Sequence, residues 1–327
     1  MVHPRSDPNT TEARLRADVH ALARPEGRRV GTTGHAAAVA WLNKRLEASG
    51  LDPYGETYAL PYEVARARFV NLAAVAPGRD RGVTPIVLGA HYDTAGDWPG
   101  ADDNAAAVAI ALEVGARLRA DPPARDVVVA LFDAEEPPYF HSAAMGSTRF
   151  LHDQMAGPVH AAMILDLVGH ELEEPGTSDL TFVTGMESDP DLERAIASLP
   201  EVAGTRLVTA LNAYVGDLSD HHAFRLARIP YLFFTCGRWR HYHRSTDTPD
   251  RLAYGKMAAL AEVVEALVRD VADRVLAGPW EGYDTTPTDA RLMRATFGPY
   301  LERSGLRLET RDDVARLVGT LLERFAL

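Results

Sequence analysis

The chain has 327 residues, of which 46% are hydrophobic and 24% charged, proportions near the globular average that exclude a disordered, fibrous or coiled-coil chain. With 46 acidic against 34 basic residues its formal charge is −12, a poor match to nucleic acid or an anionic membrane, both of which select clustered Lys and Arg. The single cysteine, Cys236, precludes an intrachain disulfide and a cysteine-rich zinc module, so any bound metal must be held by His, Asp and Glu.

Residues 1–22 contain no apolar core of signal-peptide length, and no run of 18 apolar residues occurs anywhere; the expectation is a cytoplasmic protein that does not engage a membrane. Segments 10–24 and 34–49 read as amphipathic helices. In the second, Ala38, Val39, Leu42 and Leu46 recur at helical spacing, Trp41 flanks the stripe and Gly50 ends it. Extended segments 69–77 and 84–90 enclose the polar turn GRDRG, which predicts a hairpin. A glycine-proline loop and a helix from Asn104 to about Arg119 follow. The run 126–132 is continuously apolar and β-branched, the pattern of a strand buried on both faces, and 161–169 and 230–237 repeat it. Between these last two, 180–185 and 205–211 read as strands and 191–199 as a helix. Residues 250–277 predict a long helix, 278–289 a linker, and 288–304 and 309–326 two more helices. Strands alternating with helices make an α/β protein whose sheet is mostly parallel, with one antiparallel hairpin. The length prior alone suggests two domains.

Open α/β sheets bind ligands beyond the carboxyl ends of their strands. His91, Tyr92 and Asp93 follow 84–90, and the next loop holds Asp102 and Asp103. Asp133, Glu135 and Glu136 follow 126–132, Asp166 lies near the end of 161–169, and HYHRSTD (241–247) follows 230–237. Each strand thus delivers a metal-competent group to one edge of the sheet. Asp166 stands out by itself, because burying an unpaired carboxylate costs several kcal/mol and demands a cation or strong hydrogen bonds. Other motifs fail. His170-Glu171 opens like HExxH, but Glu174 stands at the second His position. No GxSxG, Walker loop or GxGxxG is present, and the adjacent His221 and His222 diverge on any regular element.

The blocks HYDTAGDWPGADDNAAAVAIALE (91–113), FDAEEPPYFHSAAMGS (132–147), ILDLVG (164–169), SDHHAF (219–224) and YHRSTDTPDRL (242–252) resemble, in order, those of the co-catalytic zinc exopeptidases, which include aminopeptidase Y, bacterial leucyl aminopeptidases and glutamate carboxypeptidase II. The resemblance spans roughly 34–275. It implies a three-layer α/β/α fold with a mixed, mostly parallel central sheet, read as one catalytic domain over 1–283, while residues 284–327, whose helices lie outside the resemblance, read as a helical extension. It implies two Zn2+ ions, replaceable by Mn2+ or Co2+: His91 and Asp166 on one, Glu136 and His243 on the other, and Asp103 bridging them. His243 is preferred to His241 because the family's His stands four residues before the Asp of its D-T-P element, here Asp247. Glu135 would be the general base, Asp93 would orient His91, and Tyr242 would stabilise the oxyanion. A cis peptide between Asp103 and Asn104 is also implied.

The chemistry of such residues is consistent with these roles. A bridging carboxylate suits two metals about 3.5–4 Å apart, which lower the pKa of a shared water toward 7. A carboxylate beside a ligand is placed to take that water's proton and return it to the leaving amine. The resulting expectation is an aminopeptidase acting on peptides. A related carboxypeptidase, amidohydrolase or glutaminyl cyclase is the alternative, and a non-catalytic binding domain a remote one. In 137–145 the chain departs from the family's short glycine-rich stretch, and this loop, stiffened by Pro137-Pro138, is expected to shape the pocket with Trp98 and 238–242. The final helices are expected to pack on the catalytic domain, cap its cleft or form a homo-oligomer contact.

Overall fold

Side chains alternate across a strand, so a strand apolar at every position must be covered on both faces. The computed structural model, which describes residues 8–278 and 283–325, shows this for the central strands. In chain order its elements are α1 (Pro8–Leu22), α2 (Thr33–Ala48), β1 (Asp52–Pro53), β2 (Ala59–Val64), β3 (Ala67–Ala76), β4 (Ile86–His91), α3 (Ala106–Ala120), β5 (Val127–Phe132), α4 (Gly146–Arg149) and β6 (Ala161–Leu165). They continue with β7 (Leu180–Thr184), α5 (Pro190–Ser198), β8 (Arg206–Thr209), α6 (Asn212–Val215), α7 (His221–Leu226), β9 (Tyr231–Thr235), α8 (Tyr254–Asp273), α9 (Thr286–Ser304) and α10 (Arg311–Phe325). Of the linker expected over 278–289, residues 279–282 lie outside the described residues, as do the first seven residues of the chain.

One mixed sheet has the order β1-β3-β5-β4-β6-β9-β7-β8, with β2 beside β3. Its centre, β5-β4-β6-β9, is parallel. The β1–β3 and β2–β3 pairs, β3–β5 and β7–β9 are antiparallel, and β8 returns parallel to β7. Leu88 of β4, Leu165 of β6 and Phe234 of β9 face a core completed by Leu15, Leu42, Leu112 and Leu260 from α1, α2, α3 and α8. Their neighbours Val87, Ile164 and Phe233 face the opposite layer, which contains Phe150 and Phe224. Gly89 is required at the centre of β4, since a Cβ there would stand 2.5 Å from the Phe132 ring.

The predicted hairpin between 69–77 and 84–90 does not form. The strands β3 and β4 are separated by β5, which pairs with both. The polar connection instead crosses the entry to β5, where the Gly78 amide donates to Asp126 Oδ1 at 2.7 Å and the Arg79 amide to Pro123 O at 2.8 Å. The hairpin that β3 does make is with β2, a strand not anticipated from sequence. Its two-residue turn, Ala65-Arg66, has φ of 49° and 71°, the left-handed pair of a type I′ turn written without the usual Asn-Gly signature. The strands expected over 161–169 and 230–237 stop at Leu165 and Thr235, and the helix expected over 250–277 occupies Tyr254–Asp273.

The two C-terminal helices turn their apolar faces inward. Met293 of α9 and Val314 and Leu317 of α10 are fully buried in a cluster with Leu180 of β7 and Val208 of β8. No helix among the described residues is long and apolar enough to cross a membrane. If α9 and α10 are one cooperative unit with the sheet, Leu317→Ala will lower the unfolding free energy by about 2–5 kcal/mol within a single urea transition followed by circular dichroism. A loss confined to a separate transition would show that the helices fold independently.

Candidate metal centre

Six side chains converge at the carboxyl edge of the parallel strands. His91 is the last residue of β4, Asp166 directly follows β6, and Glu135 and Glu136 lie in the turn after β5. His243 sits in the loop after β9, and Asp103 in the segment joining β4 to α3. His91, Asp103 and Asp166 form one group whose candidate ligand atoms all lie within 4.8 Å of one another, and Asp103, Glu136 and His243 form a second. His91 Nε2 is 3.4 Å from Asp103 Oδ1 and 3.5 Å from Asp166 Oδ1. On the other side of the same aspartate, His243 Nε2 is 3.2 Å from Asp103 Oδ2 and 3.1 Å from Glu136 Oε2. Asp103 therefore faces both groups, one oxygen to each. Glu135 belongs to neither, with Oε2 3.8 Å from His91 Nε2.

The backbone is bent to make this possible. Ala134, Leu167 and His243 have φ of 55°, 54° and 53°. Left-handed geometry is unfavourable for residues with a Cβ and concentrates at functional sites. Each of these residues is a ligand candidate or a direct neighbour of a site carboxylate. The Asp103–Asn104 peptide is cis, as is Pro137–Pro138.

Hydrogen bonds hold the bends. The Asp93 carboxylate accepts from the Glu135 and Glu136 amides, both at 3.1 Å, while Oδ1 lies 3.4 Å from His91 Nδ1. It thus anchors the turn after β5 as well as facing the imidazole it was expected to orient. Asp247 accepts from the amides of Asp102 at 2.9 Å and Asp103 at 3.1 Å. Asp102 in turn binds His170 Nδ1 at 2.7 Å and accepts from the Gly169 amide at 2.7 Å. Sequence reasoning missed Arg28, a guanidinium only 1% exposed. It donates to the carbonyls of Tyr92 (2.6 Å), Pro99 (2.5 Å), Gly100 (2.9 Å) and Leu22 (3.2 Å), and reaches toward that of Asp103 at 3.5 Å. Burial pulls Arg28 down to about 10 against the pull of Asp103, Asp247 and Asp93, so it remains a cation at neutral pH.

The carboxylates at this edge are out of balance with their surroundings. Burial pushes Glu135 well up, helped by Glu136 and Asp166 and opposed by His91. Burial and the adjacent Asp103 push Glu136 up to about 8, and burial also raises Asp166. Asp103 moves the other way, because the nearby His243 and His91 rings outweigh its burial. Despite its own burial, His243 is pushed up to about 10 by Asp103 and Glu136. Both ring nitrogens of His91, Asp103 Oδ2 and Asp166 Oδ1 are buried without a hydrogen-bond partner, a costly state for polar atoms unless something else satisfies them. Two imidazoles and three carboxylates without a thiolate form a donor set suited to zinc. The residues present fit divalent metal ions at both groups.

A cavity opens over Asp103, Glu135, Glu136 and Asp166, and Tyr242 lines it. Burial, together with Asp103 and Glu136, holds the Tyr242 phenol far above its usual range. The 137–145 loop contributes Pro137 and Phe140 to the wall. Trp98 instead packs against the His243 ring, with centroids 6.0 Å apart. His241 points elsewhere, its Nδ1 2.8 Å from Thr246 Oγ1. His222 pairs with Asp217 at 2.7 Å, and the buried His221 stacks on Phe233. Asp220, before α7, is fully buried with neither carboxylate oxygen hydrogen-bonded, and burial raises it to about 7.

Two substitutions test the supports. Arg28→Lys offers three donors to a cage of carbonyls that uses more, and is expected to lower unfolding free energy by about 2–4 kcal/mol in urea titrations. Asp247→Ala should leave the chain folded by circular dichroism yet weaken zinc binding about 10–100-fold, read by competition with a chromophoric chelator; unchanged affinity would show that Asp247 does not position Asp103.

Similarity to known proteins extends across this region. The chain is 31% identical over 214 residues to the uncharacterised protein YfbL of Escherichia coli K12, a match covering 56% of this chain and 66% of that protein, just under two thirds of its length. The structure superposes on that of LapB from Legionella pneumophila with a TM-score of 0.66 at 19% identity, covering 84% of this chain and 77% of that one. It also superposes on a glutaminyl cyclase from Bacteroides thetaiotaomicron with a TM-score of 0.61 at 18% identity, covering 81% and 98%. These structural likenesses establish a shared fold. Residues 71–268, more than half of the chain, match peptidase family M28, and the chain belongs to that family.

Proposed function

We propose that this chain is an aminopeptidase that removes N-terminal residues from peptides with two zinc ions at the strand edge. The observation that carries the proposal is the shared Asp103, whose two oxygens face two separate metal-competent groups while Glu135 stands beside them in neither. His91 and Asp166 would hold one ion, Glu136 and His243 the other, and Asp103 both. Membership of a peptidase family and the fold likeness to a zinc-dependent exopeptidase of Parabacteroides distasonis support zinc as the metal.

Bound zinc would polarise the scissile carbonyl and make water acidic enough to attack near neutral pH. The remaining work falls to side chains. Glu135 accepts the proton from the attacking water and passes it to the departing amine, a role suited to a buried carboxylate raised above its usual range. The Tyr242 hydroxyl, kept protonated by its surroundings, donates toward the oxygen on which charge develops. Asp93 keeps the Glu135–Glu136 turn and the His91 ring in register. The acidic cavity favours a substrate ammonium, and its apolar wall favours the side chain of the N-terminal residue.

Glu135→Gln should retain wild-type zinc content by metal analysis and lose about 10²–10⁴-fold in kcat on leucine p-nitroanilide. Chelation should abolish the wild-type activity and added zinc restore it. Cleavage confined to N-acetylated dipeptides would replace this proposal with a carboxypeptidase or amidohydrolase. Cyclisation of an N-terminal glutaminyl peptide without hydrolysis would replace it with a cyclase.

A further inference from the structure

The cavity over the metal centre has an uneven charge pattern. Its acidic lining, Asp103, Glu135, Glu136 and Asp166, is accounted for by metal ions and proton transfer. Among the described residues one basic side chain lines it, Arg238. Arg238 is exposed and makes no ion pair among the described residues; its guanidinium lies beside the Tyr242 ring, whose centroid is 5.2 Å from Cζ. Arg240, two residues on, is by contrast committed to Glu173 at 3.0 Å. The stem of Arg238 is fixed from behind. The Cys236 amide donates to Leu167 O at 2.9 Å and the Gly237 amide to Thr235 Oγ1 at 3.0 Å, so the arginine starts from a pinned point just beyond β9.

We propose that Arg238 is a specificity-determining residue that receives a carboxylate of the substrate, an inference that rests on the aminopeptidase proposal above. With the acidic lining matched by metal ions, Arg238 is the basic side chain of this lining left to meet a substrate carboxylate. Guanidinium meets it with a planar fork able to form two parallel hydrogen bonds. Apolar groups nearby, Phe140, Leu218 and Phe233, reduce the screening of that contact once substrate excludes water. With no ion pair among the described residues, Arg238 has no such pair to break on binding. Two parts of a peptide present this chemistry: the C-terminal carboxylate of a dipeptide, and an acidic side chain on the N-terminal residue.

The test measures kcat/KM of the zinc-loaded full chain on Leu-Gly, Leu-Gly amide, Glu-Gly amide and Gln-Gly amide, with wild type, Arg238→Gln and Arg238→Lys. The wild type is expected to favour the carboxylate-bearing member of one pair by about tenfold or more. A preference for Leu-Gly over its amide identifies the C-terminal carboxylate, and one for Glu-Gly amide over Gln-Gly amide the side chain. In Arg238→Gln that ratio should collapse toward one through KM, and Arg238→Lys should keep part of it. A wild-type ratio near one in both pairs, or a preference that survives Arg238→Gln, overturns the assignment while continued cleavage of Leu-Gly amide leaves the aminopeptidase proposal intact. Failure to cleave any of the four, with turnover of N-acetylated dipeptides, overturns both.

Discussion

Concentrated negative charge at the buried end of a parallel sheet governs this structure. Asp93, Asp103, Glu135, Glu136 and Asp166 are all buried within reach of His91 or its neighbours. Carboxylates so placed repel one another and lose hydration, a cost that grows as the dielectric falls. The fold answers in two ways. Asp93 and Asp247 are satisfied by backbone amides. The remaining group keeps buried oxygen and nitrogen atoms without partners, and its charge and donor types match divalent cations.

The scaffold tolerates this because the strands beneath are rigid. β4, β6 and β9 are buried on both faces, and their residues alternate between two apolar layers. Close packing there resists relaxation. The left-handed residues Ala134, Leu167 and His243 can consequently be held where an isolated turn would relax. Arg28 performs the same service for the 92–103 segment. It gathers carbonyls from several points of that loop, and its positive charge opposes the adjacent carboxylates. Gly100, with φ of 57° and an ideal Cβ only 2.3 Å from Asp103 O, lets the loop close this tightly.

Much of the site was legible because strand ends are legible. A continuous apolar run followed by His91, by Glu135 and Glu136 or by Asp166 marks both a buried strand and its functional edge. Where topology depends on which distant strands pair, the sequence is silent. The segments flanking GRDRG have hairpin composition, yet β5 inserts between them, because pairing is decided by the whole sheet and not by local polarity. β2 was hidden by its sparse alternation and by an Ala65-Arg66 turn of unusual residues. Arg28 was illegible for a different reason. Its partners are carbonyl groups, which every residue carries, so no spacing of side chains announces it.

The two metal-competent groups are mechanically linked as well as adjacent. The loop after β9 supplies His243 to the second group and, four residues later, Asp247, which receives the Asp102 and Asp103 amides. Asp103 belongs to both groups. A displacement of this loop therefore moves His243 out of one group and loosens Asp103, which both groups share. Asp102 carries the linkage further through His170, whose own position follows β6 and Asp166. Occupancy of either group would order residues that the other also needs, and ordering counted once for two binding events is a source of positive coupling between them. In this fold Asp103, through its membership of both groups and the amide clamp on Asp247, ties together groups contributed by separate strands.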